Sequence, residues 1–191
     1  MSAEKSEFHQ RNGTAAQKNA NLRLVAWEVT RNCNLNCAHC RAAATNQDYA
    51  GELDTPAALQ LLDQIAEVGQ PIVILTGGEP LMRKDIFELA EYGTAKGLRM
   101  VMAPNGTLIT EAVAQKMAAS GIQRISVSLD GATKERHDGF RGVDGAFEGA
   151  LRGIEAAKSQ GIEFQINTTI SKYNYDQIPE ILKLAENLGA V

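Results

Sequence analysis

Residues 69–78, GQPIVILTGG, carry the pattern from which the rest of the chain is read. Gly69 ends an amphipathic run, PIVILT (71–76) is a short strand rich in β-branched residues, and Gly77-Gly78 marks the turn after it. The run before Gly69 opens at Thr55-Pro56, an N-cap followed by a first helical residue, and Leu59, Leu62, Ile65 and Ala66 form its apolar stripe. The same punctuation then repeats. Residues 84–96 read as a helix stopped by Gly97 before LRMVMAP (98–104), and Thr110 caps a helix stopped by Gly121 before IQRISVSLD (122–130). After a loop, a helix from about residue 144 to 160 ends at Gly161 before IEFQINTTI (162–170). A last helix, about 176 to 188, stops at Gly189. Upstream, LRLVAWEVT (22–30) reads as a buried first strand.

Strands alternating with helices imply right-handed βαβ crossovers and a parallel sheet. Short apolar strands with few polar positions suit a sheet covered by helices on one face. Five strand–helix units are visible, and a closed eight-strand barrel needs ~250 residues. The expected fold is therefore α/β, a partial barrel, with a doubly wound sheet left as the alternative. Gly189-Ala190-Val191 reads as the start of a sixth strand, so the natural chain is expected to continue. Residues 1–21 are polar without an apolar period and read as a mobile arm; residues 22–191 form the core.

Bulk properties exclude several functions. The 191 residues carry a net charge of −4, which gives no general attraction to nucleic acid. Aromatic residues make up 5%, too few for a base-stacking platform. No apolar run approaches the ~20 residues of a membrane span, and the N-terminus lacks the apolar segment of a signal peptide, so the expectation is a cytoplasmic protein with no membrane partner.

All three cysteines lie in CNLNCAHC: Cys33, Cys37 and Cys40. An odd count argues against a disulfide framework, and the loop follows the C-terminal end of the first strand, the face on which βα barrels build their sites. Three thiolates suit three corners of a four-iron cluster, leaving one iron open. A zinc site takes four ligands, and His39 abuts Cys40, an awkward position for a fourth. A redox pair of Cys37 and Cys40 leaves Cys33 unexplained. Covalent haem attachment needs His where Arg41 stands. A second motif, TGGEP (76–80), closes the second strand on the same face, where Gly77 and Gly78 would let a ligand approach the backbone and Glu79 would accept from an ammonium group.

Taken together, CNLNCAHC and TGGEP resemble the radical SAM enzymes, over roughly residues 22–191. That resemblance implies a partial (β/α)6 barrel. It also implies a [4Fe–4S] cluster on Cys33, Cys37 and Cys40 whose open iron chelates S-adenosylmethionine. One electron from an external donor then generates a 5′-deoxyadenosyl radical. It further implies cofactor contacts from Gly77, Gly78 and Glu79, from Ser128 at the ribose, from Arg141 near the methionine carboxylate or ribose, and from Asn105 and Asn167 as neighbours. His39 stands where the family often has an aromatic residue. Singly, residues of these types at strand ends also make ordinary turns.

The longer stretches RLVAWEVTRNCNLNCAHCRAAA, YAGELDT and ILTGGEPLMRKDIFELAEYGTAKGLRMVMAPNGTLIT are similar to the haem synthases of the siroheme-based haem pathway. That similarity implies oxidative decarboxylation of two propionates of iron-coproporphyrin III, with a second [4Fe–4S] cluster in a C-terminal region beyond this chain. Another tetrapyrrole or a peptide as substrate, and a non-catalytic electron-transfer module, are the alternatives. Arg31, Arg41 and Arg141 are candidate partners for propionates. Glu28 is expected at the barrel mouth or in an ion pair, Trp27 in the core, and His9 and His137 at the surface.

Overall fold

The computed structural model describes residues 22–191, so the arm expected over 1–21, with His9, lies outside the described residues. Five strands form one sheet: β1 (Leu24–Thr30), β2 (Ile72–Gly77), β3 (Arg99–Met102), β4 (Arg124–Ser128) and β5 (Glu163–Asn167). All neighbours are parallel and their order in space is their order in the chain. Because the order never reverses, every right-handed crossover turns the same way and lays its helix on the same face. A doubly wound sheet requires a reversal at its switch point, so the partial barrel is the fold among the described residues. Six helices accompany it: α1 (Thr55–Val68), α2 (Ile86–Ala95), α3 (Glu111–Ala119), α4 (Lys134–Arg141), α5 (Ala146–Ser159) and α6 (Ile178–Leu188). None of them is long and apolar enough to cross a membrane.

The two-residue period of the strands divides core from site. Val73 and Leu75, Met100 and Met102, Ile125 and Val127, and Phe164 are buried in one cluster with Leu62, Leu89, Met117 and Ile154 from the helices. The intervening residues face the other way: Glu28 stands opposite Thr76, Ser126 opposite Gln165, and Ser128 opposite Asn167. Trp27 packs against the core, as expected. β1 is not buried throughout; Leu24, Ala26 and Glu28 are exposed on the face turned away from the helices, opposite Ile72, Ile74 and Thr76. Beside β5, the Val191 N–H donates to the Phe164 carbonyl (3.0 Å), the pairing a strand after Gly189 would make.

Two local expectations need correction. Asp54, not Thr55, caps α1: its carboxylate accepts from the Ala57 N–H, and Thr55 Oγ1 instead donates to Asp85. Gly69 ends α1 as expected, as an extended C-cap (φ 167°), and Gly189 holds the left-handed C-cap of α6. The stretch read as a loop after β4 contains α4. Its sequence, KERHDGFR, has no apolar stripe, and the side chains it buries are His137, Asp138, Phe140 and Arg141. Tertiary hydrogen bonds replace the missing hydrophobic signal: Asp138 accepts from the N–H groups of Gly145 and Phe147 (2.7 Å each), at the start of α5.

Candidate functional site

The cysteine loop leaves the C-terminal end of β1 and is held at both ends. Thr30 Oγ1 donates to Glu52 and accepts from the Asn32 N–H, and the Cys33 N–H closes the loop onto the Thr45 carbonyl. Its middle docks on α4: the N–H groups of Ala38 and Asn36 donate to the carbonyls of Phe140 and Arg141 (2.9 and 3.1 Å). Those carbonyls are end-of-helix acceptors without an intrahelical partner, so the loop and the helix satisfy each other. His39 stacks on Phe140 with centroids 4.3 Å apart. Gly142 makes the contact possible. Its φ is +70°, and a Cβ there would lie 2.2 Å from the Asn36 carbonyl oxygen.

Each sulfur receives one N–H donor. Leu35 N–H donates to Cys33 (3.4 Å), Ala44 N–H to Cys40 (3.3 Å), and the Arg141 guanidinium to Cys37 (3.5 Å). Burial pushes the Cys33 thiol up; the Leu35 N–H works in the opposite direction, and the charges of Glu79 and the other cysteines reinforce the rise. A metal group held by this thiol would displace its proton.

The Gly-Gly-Glu turn serves the protein backbone first. A Cβ on Gly77 would lie 2.2 Å from the Thr30 oxygen, and one on Gly78 would lie 2.3 Å from the Asn32 oxygen. The N–H groups of Gly78 and Glu79 donate to those same carbonyls (2.7 and 2.8 Å), which continues the β1–β2 ladder into the cysteine loop. The close approach expected of a ligand is thus made by the start of that loop. Glu79 is fully buried, and its carboxylate accepts from the N–H groups of Leu81 (3.1 Å) and Asn105 (2.7 Å) rather than facing open space. Burial raises its pKa to about 7, against the pull of those two N–H groups. Asn105 in turn donates to Asn34 of the cysteine loop (2.8 Å) and accepts from Thr107. Glu79 and Asn105 therefore tie the ends of β2 and β3 to the loop.

Ser128 and Asn167 are register partners at the ends of β4 and β5, on the same face as Glu28 and Thr76. Arg141 is buried, paired with fully buried Asp130 at 2.5 Å, and so is not a surface partner for a propionate. His137 is not at the surface either. It is buried against Asp130, its Nδ1 accepting the Asp130 N–H, and burial with the nearby Arg141 charge lowers its pKa to about 4. The Asp130 hub and the α4 docking platform escaped the sequence reading; the SLDG stretch before α4 and the HDGFRG stretch that forms its C-terminal half and cap were the available signal. A cleft of about 560 Å³ runs past Glu28, Thr30, Arg31, Tyr49, Gly77 and Gly78. Glu28 is exposed and paired with Arg41 (2.8 Å), and Arg31 lies over the Tyr49 ring.

Among the described residues, no three His, Cys, Asp or Glu side chains gather as a single metal ion would require. A four-iron cube makes no such demand, since each thiolate meets its own iron. Asn32 Oδ1, His39 Nδ1 and Arg141 Nε are buried without partners in or against the loop, polar atoms left over for a bound group. The loop fits a cluster on these grounds. Residues 27–185 match the Radical SAM superfamily. The chain belongs to that superfamily. A [4Fe–4S] cluster and S-adenosylmethionine are the cofactors of its members. The chain is 55% identical over 169 residues to the AdoMet-dependent heme synthase of Methanosarcina barkeri, covering 88% of this chain and 48% of the relative. It is 44% identical to the Fe-coproporphyrin III synthase of the same organism, covering 85% of this chain and 41% of that relative. It thus spans about half the length of the curated relatives it matches. The fold superposes on Streptococcus suis SuiB bound to S-adenosylmethionine with a TM-score of 0.75, at 21% identity over 88% of this chain and 39% of that one.

Proposed function

We propose that the chain is the core of a cytoplasmic radical enzyme in which Cys33, Cys37 and Cys40 hold a [4Fe–4S] cluster, and that its substrate is iron-coproporphyrin III. The observation that carries this reading is the cysteine loop, with a donor on every sulfur, pinned beside the Gly-Gly-Glu turn. Held on Cys33, Cys37 and Cys40 and reduced by an external donor, the cluster would supply one electron for cleavage of S-adenosylmethionine to methionine and a 5′-deoxyadenosyl radical. Gly77, Gly78 and Asn105 shape the rim of the cofactor site, Glu79 braces it from beneath, and Ser128 and Asn167 offer hydroxyl and amide groups to the nucleoside. Arg31 lines the cleft, Arg41 is paired with Glu28 at its wall, and both would meet the propionates of the porphyrin.

Each propionate would become a vinyl group by giving a hydrogen atom to the radical, which forms 5′-deoxyadenosine, and then losing carbon dioxide and one electron. That electron needs an acceptor, and a second [4Fe–4S] cluster carried outside these 191 residues would supply one. The relative named heme synthase exceeds the Fe-coproporphyrin III synthase in identity, 55% against 44%, which favours this substrate over another tetrapyrrole. A non-catalytic electron carrier would have no use for the polar inner face formed by Ser126, Ser128, Gln165 and Asn167.

The test is anaerobic reconstitution followed by reductant and S-adenosylmethionine. Formation of 5′-deoxyadenosine is expected, and its absence from cluster-loaded protein overturns the radical reading. The full natural protein, given iron-coproporphyrin III, should yield a product lighter by two carboxyl groups. Arg41→Ala should weaken porphyrin binding about tenfold, the loss of one exposed charge contact, and leave 5′-deoxyadenosine formation unchanged; equal loss of both removes Arg41 from the substrate site.

A further inference from the structure

The three sulfurs are not equivalent. Cys33 and Cys40 receive neutral backbone N–H groups, whereas Cys37 receives a buried guanidinium. We propose that Asp130 and Arg141 form a positioning pair that sets the reduction potential of the cluster through Cys37. The proposal rests on the cluster assignment above and adds a role distinct from contact with S-adenosylmethionine.

The pair is built rigidly. Arg141 is 7% exposed and Asp130 0%. One Asp130 carboxylate oxygen meets the guanidinium at 2.5 Å and the other accepts the Thr169 N–H at 2.7 Å. The Asp130 N–H donates to His137 and its carbonyl accepts from Asn174 Nδ2 (3.0 Å), so β4, α4 and the segment after β5 all fix this one residue. Arg141 touches the cysteine loop twice, through its guanidinium at Cys37 and through its carbonyl at the Asn36 N–H. Its Nε is buried without a protein partner.

A permanent cation beside a ligand sulfur favours the more negative oxidation state of whatever that sulfur binds, and low local dielectric strengthens the effect. Asp130 opposes it from the far side of the guanidinium. Removing the cation should lower the potential, and removing the anion should raise it.

The experiment is a redox titration of the anaerobically reconstituted protein, followed by electron paramagnetic resonance without S-adenosylmethionine. Arg141→Gln is expected to reduce the ratio of reduced to oxidised cluster about tenfold at a given potential, a shift of about 59 mV downward for a one-electron couple. Asp130→Asn is expected to shift it upward, with Arg141→Lys between Arg141→Gln and the wild type. Unchanged potentials in variants that carry a full complement of iron overturn the proposal. So does a weaker affinity for S-adenosylmethionine at unchanged potential, which would make Arg141 a cofactor contact only. Should Arg141→Gln lose its cluster, the direction of the Asp130→Asn shift decides. A wild-type chain that takes up no cluster overturns the cofactor assignment itself, and is seen in the iron content before any titration.

Discussion

Glu79 and His137 are buried titratable groups displaced in opposite directions from their ordinary values, and the pH dependence of stability follows from both. Glu79 titrates near 7 in the folded chain against 4.5 ordinarily. Between those values the folded chain keeps a proton that the unfolded chain has released, so its contribution to stability falls as pH rises through that window. The fall amounts to about 3 kcal/mol in all. His137 titrates near 4 against 6.5. There the unfolded chain holds the extra proton, so stability rises with pH from 4 to 6.5 by an amount that is again about 3 kcal/mol. The two slopes offset each other where the windows overlap. In urea unfolding of the cluster-free chain, Glu79→Gln should therefore unmask stability that climbs from pH 4.5 to 6.5, and His137→Gln should leave stability that declines toward pH 7. Parallel profiles for both variants would refute the assignment of these protonation states. At this scale the cysteines and Gly-Gly-Glu were legible from spacing alone, but the inward turn of Glu79 was not. An acidic residue after two glycines reads the same whether its carboxylate meets a ligand or two backbone N–H groups.

At the scale of elements, the cluster loop and α4 depend on each other. The loop has few apolar side chains of its own; Leu35, Ala44 and Ala146 gather with Cys33 in a small separate core. Its shape comes from hydrogen bonds to the C-terminal carbonyls of α4 and from the close passage over Gly142. Gly142→Ala would place a side chain at φ +70° against the Asn36 oxygen. We expect a loss of about 3 kcal/mol, combining left-handed strain with the clash. It should appear as a lower urea midpoint and as fewer iron atoms retained after reconstitution; an unchanged iron content would mean that the loop does not need α4. The α4 helix was invisible to pattern reading because KERHDGFR satisfies its helix through caps and tertiary partners rather than an apolar face. Helices α1 and α5, whose stripes have the helical period, were recovered to within about two residues at each end.

For the whole molecule, the sheet is uneven. The β1–β2 and β4–β5 ladders pair along their lengths, whereas β3 and β4 share the single register pair Met102 and Ile125. Hydrogen exchange should accordingly show the β3–β4 seam opening before either ladder, with protection in β2 highest because it pairs over four or more residues on both edges, whereas β3 and β4 share one pair. Uniform protection across the sheet would show that the helices, not the ladders, hold the two parts together. The seam lies between the half of the barrel that carries the cysteine loop and the half that carries Ser128, Asn167 and Asp130. The sequence by itself determined the alternation of strands and helices, the parallel sheet and the grouping of the three cysteines, because periodicity, helix stops and cysteine spacing are local properties. Only the tertiary structure decided the unreversed strand order, the inward role of Glu79, the docking of the loop on α4 and the Asp130–Arg141 pair beneath Cys37. Each of those depends on groups distant in the chain meeting in a buried place, where an unpaired charge or N–H is too unfavourable to leave, and no local pattern records which partner it will find.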